Sequence, residues 1–168
     1  VLGHGEGVSR LNTPTRLPPA LGGERAVSVS DGEGHSLALA ADGAVWSGGE
    51  GAWGKLGHGD RQNQLLPKKI EAFADRRVIA VSAAAHHSLA ITADGAVWSW
   101  GLGSSGRLGH GDEQRQLLPK KIEAFAGQRV LAVSAGTYHS LARTADGADF
   151  TWGGGRHGCL GHGEDLSN

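Results

Sequence analysis

The sequence predicts an all-β fold of repeated four-stranded antiparallel sheets, and three observations support this prediction. A set of motifs recurs every 52 residues, short alternating segments flank each Asp-Gly pair, and glycine supplies 29 of the 168 residues. Glycine at roughly twice its ordinary frequency indicates many tight turns. Regularly placed tryptophans and valines argue against disorder, because they give the chain apolar surface to bury.

Three motifs define the repeat. Leu-Gly-His-Gly begins at Leu2, Leu56, Leu108 and Leu160; His-Ser-Leu-Ala begins at His35, His87 and His139; Asp-Gly begins at Asp42, Asp94 and Asp146. The first Leu-Gly-His-Gly interval is 54 residues, and we place its two extra residues in the loop around Pro14, Pro18 and Pro19. We predict a single array over 1–168, with repeats at about 2–55, 56–107 and 108–159 and a further repeat starting at 160–168.

The middle repeat shows the predicted strands. Val78–Ser82 is a β-branched run, and the alternating segments Ser88–Thr92 and Ala96–Trp100 are joined through an Asp-Gly pair that suits a tight hairpin. A fourth strand is expected from Lys68 to Ala72, after Pro67, which has no N–H and suits the start of an edge strand. Four short strands per repeat, with glycine turns between them, are typical of a β-propeller blade.

One blade cannot bury both of its faces, so neighbouring blades must stack to close a core. The candidate core residues, each with counterparts 52 residues away, are Val81, Leu89, Ile91, Val97 and Trp98. The four tryptophans of the repeat framework, Trp46, Trp98, Trp100 and Trp152, are also interpreted as blade core. A second interpretation stays open here, because Ile70, Phe73, Ala74 and Val78 also have helical spacing, which suggests a solenoid of helices.

Composition restricts the function classes. With 16 Lys+Arg against 17 Asp+Glu, the chain has no general attraction for nucleic acid or an anionic membrane, and no apolar run approaches the length of a membrane span. Cys159 is the single cysteine, which rules out an internal disulfide and favours an intracellular location, cytoplasmic or nuclear. The chain opens on Val1 and contains no methionine, so we expect it to be part of a longer protein.

The motifs together resemble the repeat of the regulator of chromosome condensation family. The resemblance rests on Leu56-Gly57-His58-Gly59-Asp60, Pro67, Val81-Ser82, His87-Ser88-Leu89-Ala90, Asp94-Gly95 and Trp98-Ser99-Trp100-Gly101. It implies a propeller, usually a closed ring of seven four-stranded blades, in which one repeat supplies strands to two blades. This chain carries about three blades, so we expect a partial propeller or one completed by oligomerisation.

The family hosts several functions, and the fold alone does not choose among them. Its founding member exchanges nucleotide on the small GTPase Ran and docks on nucleosomes. Others are domains of large ubiquitin ligases, trafficking adaptors and a plant UV-B photoreceptor. The photoreceptor uses tryptophans at positions that here hold Gly34, His86 and Tyr138, which argues against photoreception. The constant spacing between Leu56 and Leu160 leaves no room for an inserted exchange wedge.

Three patterns could suggest catalysis or cofactor binding, and each has a structural interpretation. The G-x-G-x-x-G segments are read as inter-strand turns, because no helix follows to hold a pyrophosphate; they span Gly49–Gly54, Gly101–Gly106 and Gly153–Gly158. Histidines two residues before an acid, such as His58 and Asp60, could bind a metal or close a local hydrogen bond. His87 and Ser88 point to opposite faces of a strand, so they cannot act together as base and nucleophile.

We therefore predict a protein-binding scaffold that is not an enzyme and needs no cofactor or metal. The candidate partner-binding residues differ between repeats while the framework does not; they are Trp53, Arg61, Asn63, His86, Glu113, Arg115, Tyr138, Arg156 and His157. The expected partner is a protein, which could be a small GTPase or another copy of this chain. The alternative functions are regulation of a small GTPase and structural self-association of a propeller fragment.

Overall fold

The computed structural model describes residues 5–6, 10–16 and 21–163. Leu2 and His4 of the first motif, Pro18, Pro19 and the end of the chain beyond residue 163 lie outside the described residues. The described part contains three antiparallel sheets, called blades 1 to 3 here. It contains no helix long or apolar enough to cross a membrane.

Blades 1 and 2 have four strands each, and blade 3 has three in the described residues. The strands are β1 Ala26–Asp31, β2 His35–Ala40, β3 Val45–Gly49 and β4 Gln64–Lys69 in blade 1, β5 Val78–Ala83, β6 His87–Thr92, β7 Val97–Gly101 and β8 Gln116–Lys121 in blade 2, and β9 Val130–Ala135, β10 His139–Thr144 and β11 Asp149–Gly153 in blade 3. Single 3₁₀ turns occupy Ala52–Gly54, Glu71–Phe73, Ser104–Gly106, Glu123–Phe125 and Arg156–Gly158. The predicted all-β fold is confirmed, and the helical solenoid is excluded.

The fourth strand lies earlier in the chain than predicted. β4 spans Gln64–Lys69 and pairs with β3, and Glu71–Phe73 forms a 3₁₀ turn in place of the expected strand end. The ladder between β3 and β4 is irregular around Pro67, and β4 is an edge strand, so a residue without an N–H is tolerated there. Because β4 comes from the predicted repeat 56–107 but completes blade 1, one repeat supplies strands to two blades.

The core lies between the blades. Leu37, Leu39 and Val45 on blade 1 pack with Trp100 and Ala90 of blade 2. An equivalent cluster joins blades 2 and 3, and Ile91 and Val97 in it have no exposed surface. Half of the predicted core positions are fully buried, namely Leu89, Ile91, Val97 and Trp100, whereas the other half are only partly buried: Trp46, Val81, Trp98 and Trp152.

Candidate functional site

Two sets of connections meet at one end of the blades. Because successive strands run in opposite directions, the turn between the first two strands of each blade and the loop after its third strand leave the sheet on the same side. Hydrogen bonds join them in each blade: the N–H of Glu50 donates to the Gly34 oxygen (2.7 Å), that of Leu102 to the His86 oxygen (2.9 Å), and that of Gly154 to the Tyr138 oxygen (2.9 Å). We call this surface the loop face; it comprises residues 32–34, 50–63, 84–86, 102–115, 136–138 and 154–163.

All nine predicted partner-binding residues lie on the loop face. Trp53 is 39% exposed, and the guanidinium of Arg115 lies 5.4 Å from the centre of its ring, so this pair joins the loops of two successive blades. Tyr138 is 54% exposed, and its ring lies 5.2 Å from the guanidinium of Arg107. His86 is half-buried, whereas the others are exposed: Arg61, Asn63, Glu113, Arg115, Arg156 and His157.

Asn63 differs from the rest, because its side chain is engaged within its own loop. Its Oδ1 accepts a hydrogen bond from the N–H of Gly51 at 2.9 Å. The equivalent position in the next repeat is Arg115, which instead packs over Trp53. Asn63 therefore supports the loop as well as being exposed on it.

One equivalent position in the loop after the third strand of each blade has a left-handed backbone. Trp53, Ser105 and His157 have φ angles of 64°, 60° and 58°, and no other non-glycine residue in the described residues has a positive φ. This conformation costs a non-glycine residue about 1 kcal/mol or more, and such strain is concentrated at functional sites. Side chains that differ between repeats therefore project from one strained position in each blade.

Two buried cations hold the loop face in place, and the sequence analysis missed both. Lys55, only 1% exposed, donates from Nζ to the Glu33 oxygen (2.8 Å) and to Glu50 Oε2 (2.6 Å). Its equivalent, Arg107, donates from Nη1 to the Thr137 oxygen at 2.9 Å. The hydrogen bond and charge of Lys55 hold the pKa of Glu50 below its usual value. The sequence signal that could have revealed these two residues is the basic residue directly before Leu56 and before Leu108.

The histidines of the Leu-Gly-His-Gly motif form local hydrogen bonds. Ser47 Oγ donates to the Leu56 oxygen (2.7 Å), so His58 Nε2, at 2.8 Å, donates to Ser47 Oγ. The same geometry joins His110 to Ser99 and His162 to Thr151. The acidic residue that follows the histidine also forms a local hydrogen bond, because Asp60 Oδ1 accepts from the N–H of Gln62 at 2.9 Å. The described residues contain no group of three His, Cys, Asp or Glu side chains placed to hold a metal ion.

The first two His-Ser-Leu-Ala histidines, His35 and His87, bind serines of the next blade. His35 Nε2 lies 3.0 Å from Ser88 Oγ, and Ser88 Oγ donates to the Lys55 oxygen at 3.0 Å. Since the hydroxyl proton is already used, the imidazole is the donor. This proton arrangement is the opposite of the one a general base requires, which supports a structural role for the pair.

The glycine-rich segments are turns. Each begins at the last residue of a β-strand and leads into a 3₁₀ turn, without the helix that a dinucleotide site requires. A Cβ at Gly51 would lie 2.1 Å from the Gln62 oxygen, and one at Gly103 equally close to the Gln114 oxygen. These glycines are therefore required for the close approach of the two ends of the loop.

Comparison with known proteins gives consistent similarities. Family models described as the regulator of chromosome condensation (RCC1) repeat match residues 42–91, 94–143 and, in a second version, 78–107. The ultraviolet-B receptor UVR8 of Arabidopsis thaliana is 42% identical over 97% of this chain and 37% of the receptor. The human E3 ubiquitin-protein ligase HERC2 is 44% identical over 83% of this chain and 3% of the ligase.

Solved structures agree with this similarity. Human WBSCR16 matches with a TM-score of 0.72 and 30% identity, over 77% of this chain and 33% of that one. Prp20p of Saccharomyces cerevisiae, described with its binding properties to Gsp1p and histones, matches with a TM-score of 0.74 and 25% identity, over 83% of this chain and 35% of that one. The chain thus spans 37% or less of each of these relatives.

Proposed function

The chain belongs to the regulator of chromosome condensation (RCC1) repeat family, and we propose that it is a non-enzymatic scaffold that binds a protein partner through its loop face. One observation carries the proposal. The nine candidate partner-binding residues, which differ between repeats, lie together on the loop face, whereas the repeated histidines and serines are engaged in hydrogen bonds of the framework. Variation on a constant frame is the pattern expected of a specificity surface.

The chemistry of the loop face suits protein recognition. Aromatic and arginine side chains dominate the binding energy of protein interfaces, and here Trp53, Arg115 and Tyr138 are exposed on neighbouring loops. Buried Lys55 and Arg107 fix the backbone beneath them. A surface that is ordered in advance loses less entropy when a partner binds.

Alanine substitution tests this proposal. We expect Trp53→Ala and Tyr138→Ala to lose partners that the unchanged chain retains in a pull-down, without a change in melting temperature. The matched control is Gln128→Ala, an exposed residue at the opposite end of the blades, which should retain the same partners. Equal retention by all four proteins would refute the assignment of the loop face.

Regulation of a small GTPase is the second candidate function. Its support is the similarity to Prp20p, whose structure is described with binding to Gsp1p. The test is to add the purified chain to a GTPase loaded with a fluorescent nucleotide. Faster release of the nucleotide would favour regulation of a GTPase. An unchanged rate of release would leave the protein-binding scaffold as the proposed function. Photoreception is not proposed, despite the identity to UVR8, because the tryptophans that the resemblance implies are replaced by Gly34, His86 and Tyr138.

We also propose an intracellular location. Cys159 is a free thiol whose Sγ lies 3.0 Å from the Gly154 oxygen, so its place in the loop face suits a reduced side chain. Fractionation of cells that express the full-length protein would test this proposal.

A further inference from the structure

Two arginines of the loop face lie over aromatic rings, and their guanidinium groups differ in what they bind. Arg107, beside the Tyr138 ring, uses Nε, Nη1 and Nη2 in hydrogen bonds to neighbouring residues. Arg115, whose guanidinium lies 5.4 Å from the centre of the Trp53 ring, forms no ion pair or side-chain hydrogen bond with any described residue. The N–H donors of Arg115 are therefore available to a ligand.

The loop that carries Trp53 is fixed by its own hydrogen bonds. Trp53 has a left-handed backbone with a φ of 64°, and the N–H of the following residue, Gly54, donates to the Gly51 oxygen at 3.0 Å. The N–H of Gly51 in turn donates to Asn63 Oδ1 at 2.9 Å. The backbone beneath the indole is thus ordered before a ligand arrives, and a group ordered in advance loses less entropy on binding.

The same loop of blade 1 lies against β8 of blade 2. The N–H of Gly59 donates to the Leu117 oxygen at 2.9 Å, and Leu118, which is 51% exposed, lies beside Gly59. Arg115 directly precedes β8. One surface built from two blades therefore contains three exposed side chains, and we call it the rim patch: Trp53, Arg115 and Leu118.

The rim patch is exposed on a blade whose two neighbours are both in place. Blade 2 contacts blades 1 and 3 through its inner strands β5 and β6, whereas β8 is its outer edge strand. Trp53 and Leu118 are nevertheless 39% and 51% exposed. Tryptophan and arginine contribute most to binding at protein interfaces, so this exposed pair is suited to a protein ligand.

We propose that the rim patch binds a short segment of a partner protein in which an acidic residue stands close to an aliphatic or aromatic one. The carboxylate accepts hydrogen bonds from two N–H groups of Arg115, and the apolar side chain packs on Trp53 and Leu118. Arginine suits this contact because its planar fork of donors matches the two oxygens of a carboxylate. The inference rests on the proposed function of the loop face and adds the chemistry of the partner.

The charges around the rim patch favour a single carboxylate over an extended anionic surface. Gln114–Lys121 contains three basic residues and no acidic one, but Asp112 and Glu113 directly precede it, and Asp60 lies in the loop beside it. These acidic residues repel a membrane or a nucleic acid, whose negative charge is spread over a wide area. A peptide presents its carboxylate to Arg115 and keeps the rest of its length apolar or neutral.

Selection of peptides from a random dodecapeptide phage library on the purified chain is the first test. We expect the selected sequences to contain Asp or Glu close to an aliphatic or aromatic residue. Fluorescence anisotropy of one selected and labelled peptide then gives its Kd for each variant of the chain. Arg115→Gln should weaken binding about tenfold or more, because a charge-assisted hydrogen bond is lost.

Blade 1 supplies matched controls, because its edge strand β4 has the same sequence as β8. Leu66, 49% exposed, is the equivalent of Leu118, but Asn63 stands there in the place of Arg115. Leu118→Asp should therefore weaken binding of the peptide, whereas Leu66→Asp should not. Arg61→Gln, which removes another exposed arginine of the loop face, should also leave the Kd unchanged.

Charge reversal separates a binding role of Arg115 from a structural one. We expect Arg115→Glu to lose the acidic peptide and to bind a version of the same peptide in which lysine replaces the acidic residues. The unchanged chain should have the opposite preference. A variant that had merely lost its fold would bind neither peptide, and circular dichroism would show that loss.

The proposal is overturned if no acidic sequence is selected, and binding of phosphatidylserine vesicles through Arg115 would then identify a membrane as the occupant. It is equally overturned if Arg115→Gln and Arg61→Gln weaken peptide binding to the same extent. Partners that are lost with Trp53→Ala and Tyr138→Ala but kept by Arg115→Gln would refute this inference and leave the scaffold function standing. Partners that are kept by all these variants would refute both.

Discussion

His87 Nε2 lies 2.9 Å from Ser140 Oγ, 53 positions further along the chain and in the next blade. Both side chains have no exposed surface, and Ser140 Oγ donates a hydrogen bond to the Arg107 oxygen at 2.9 Å. Nε2 therefore carries a proton, and because burial lowers the pKa of His87 to about 3, the imidazole is neutral at pH 7. A repeated polar contact of this kind fixes the register between blades, which apolar packing alone leaves less strictly defined.

The buried histidines make stability depend on pH. Burial lowers the pKa of His35 to about 4 and that of His87 to about 3, whereas both titrate near 6.5 when unfolded. The unfolded chain then binds more protons than the folded one, so stability is full above about pH 6.5 and falls as the pH drops toward 4. We expect a loss of about 1.4 kcal/mol per pH unit for each of the two imidazoles in that window.

Urea unfolding at intervals between pH 7 and pH 4 measures this slope. The lowered pKa values of His58 and His110, which burial also causes, add to the loss in the same direction. His87→Gln removes one of the titrating groups and should flatten the curve. Stability that stays constant over this range would contradict the assignment of neutral, buried imidazoles.

Ser140→Ala tests the contact between blades directly. The substitution leaves the Nε2 proton of His87 buried without its acceptor, so we expect a loss of about 1–3 kcal/mol in the free energy of unfolding. Ser36→Ala is the matched control at the equivalent, exposed position of blade 1. It should change stability by about 0.5 kcal/mol or less, and similar losses for both variants would be evidence against the contact.

The left-handed position at Ser105 predicts opposite effects for two substitutions. Its φ of 60° suits glycine, so Ser105→Gly should be neutral or slightly stabilising. A β-branched side chain is strained there, and Ser105→Val should lower stability by about 1–2 kcal/mol. Thermal unfolding of the two variants decides the question, since a valine that is tolerated as well as glycine would mean that the position is not left-handed.

Glu50→Ala isolates the buried ammonium of Lys55. The variant removes the carboxylate whose Oε2 lies 2.6 Å from Lys55 Nζ. Within the described residues, Nζ then keeps the Glu33 backbone oxygen as its acceptor. We expect a loss of about 1–2 kcal/mol, reduced by the partial exposure of Glu50. Glu33→Ala is the control, because Glu33 contributes its backbone oxygen, and it should leave the melting temperature unchanged.

The strand pattern was largely predictable because each strand carries its own signal. Val78–Ala83 and His87–Thr92 follow from β-branched and alternating residues, and the turn at Asp94-Gly95 follows from the need for positive φ at glycine. The predicted start of the fourth strand was about four residues too late in the chain. Its bounds depend on pairing with β3, which belongs to the preceding repeat and leaves no local trace.

The candidate site was predictable in composition but not in arrangement. Divergence between repeats singled out Trp53, His86 and Tyr138, yet nothing in their spacing showed that two kinds of connection share one face. The support beneath them was missed for the same reason. Lys55 looks like an ordinary surface lysine until the fold encloses it between Glu33 and Glu50.

The sequence by itself determined that this chain is a repeated sheet, because alternation and turn residues act over a few positions and recur with a constant period. Only the tertiary structure decided which residues meet across the fold: that His87 binds Ser140 of the next blade, and that the Lys55 ammonium is enclosed between Glu33 and Glu50. The physical reason is that strand periodicity assigns a side chain to a face, whereas its partner depends on how two twisted sheets stack.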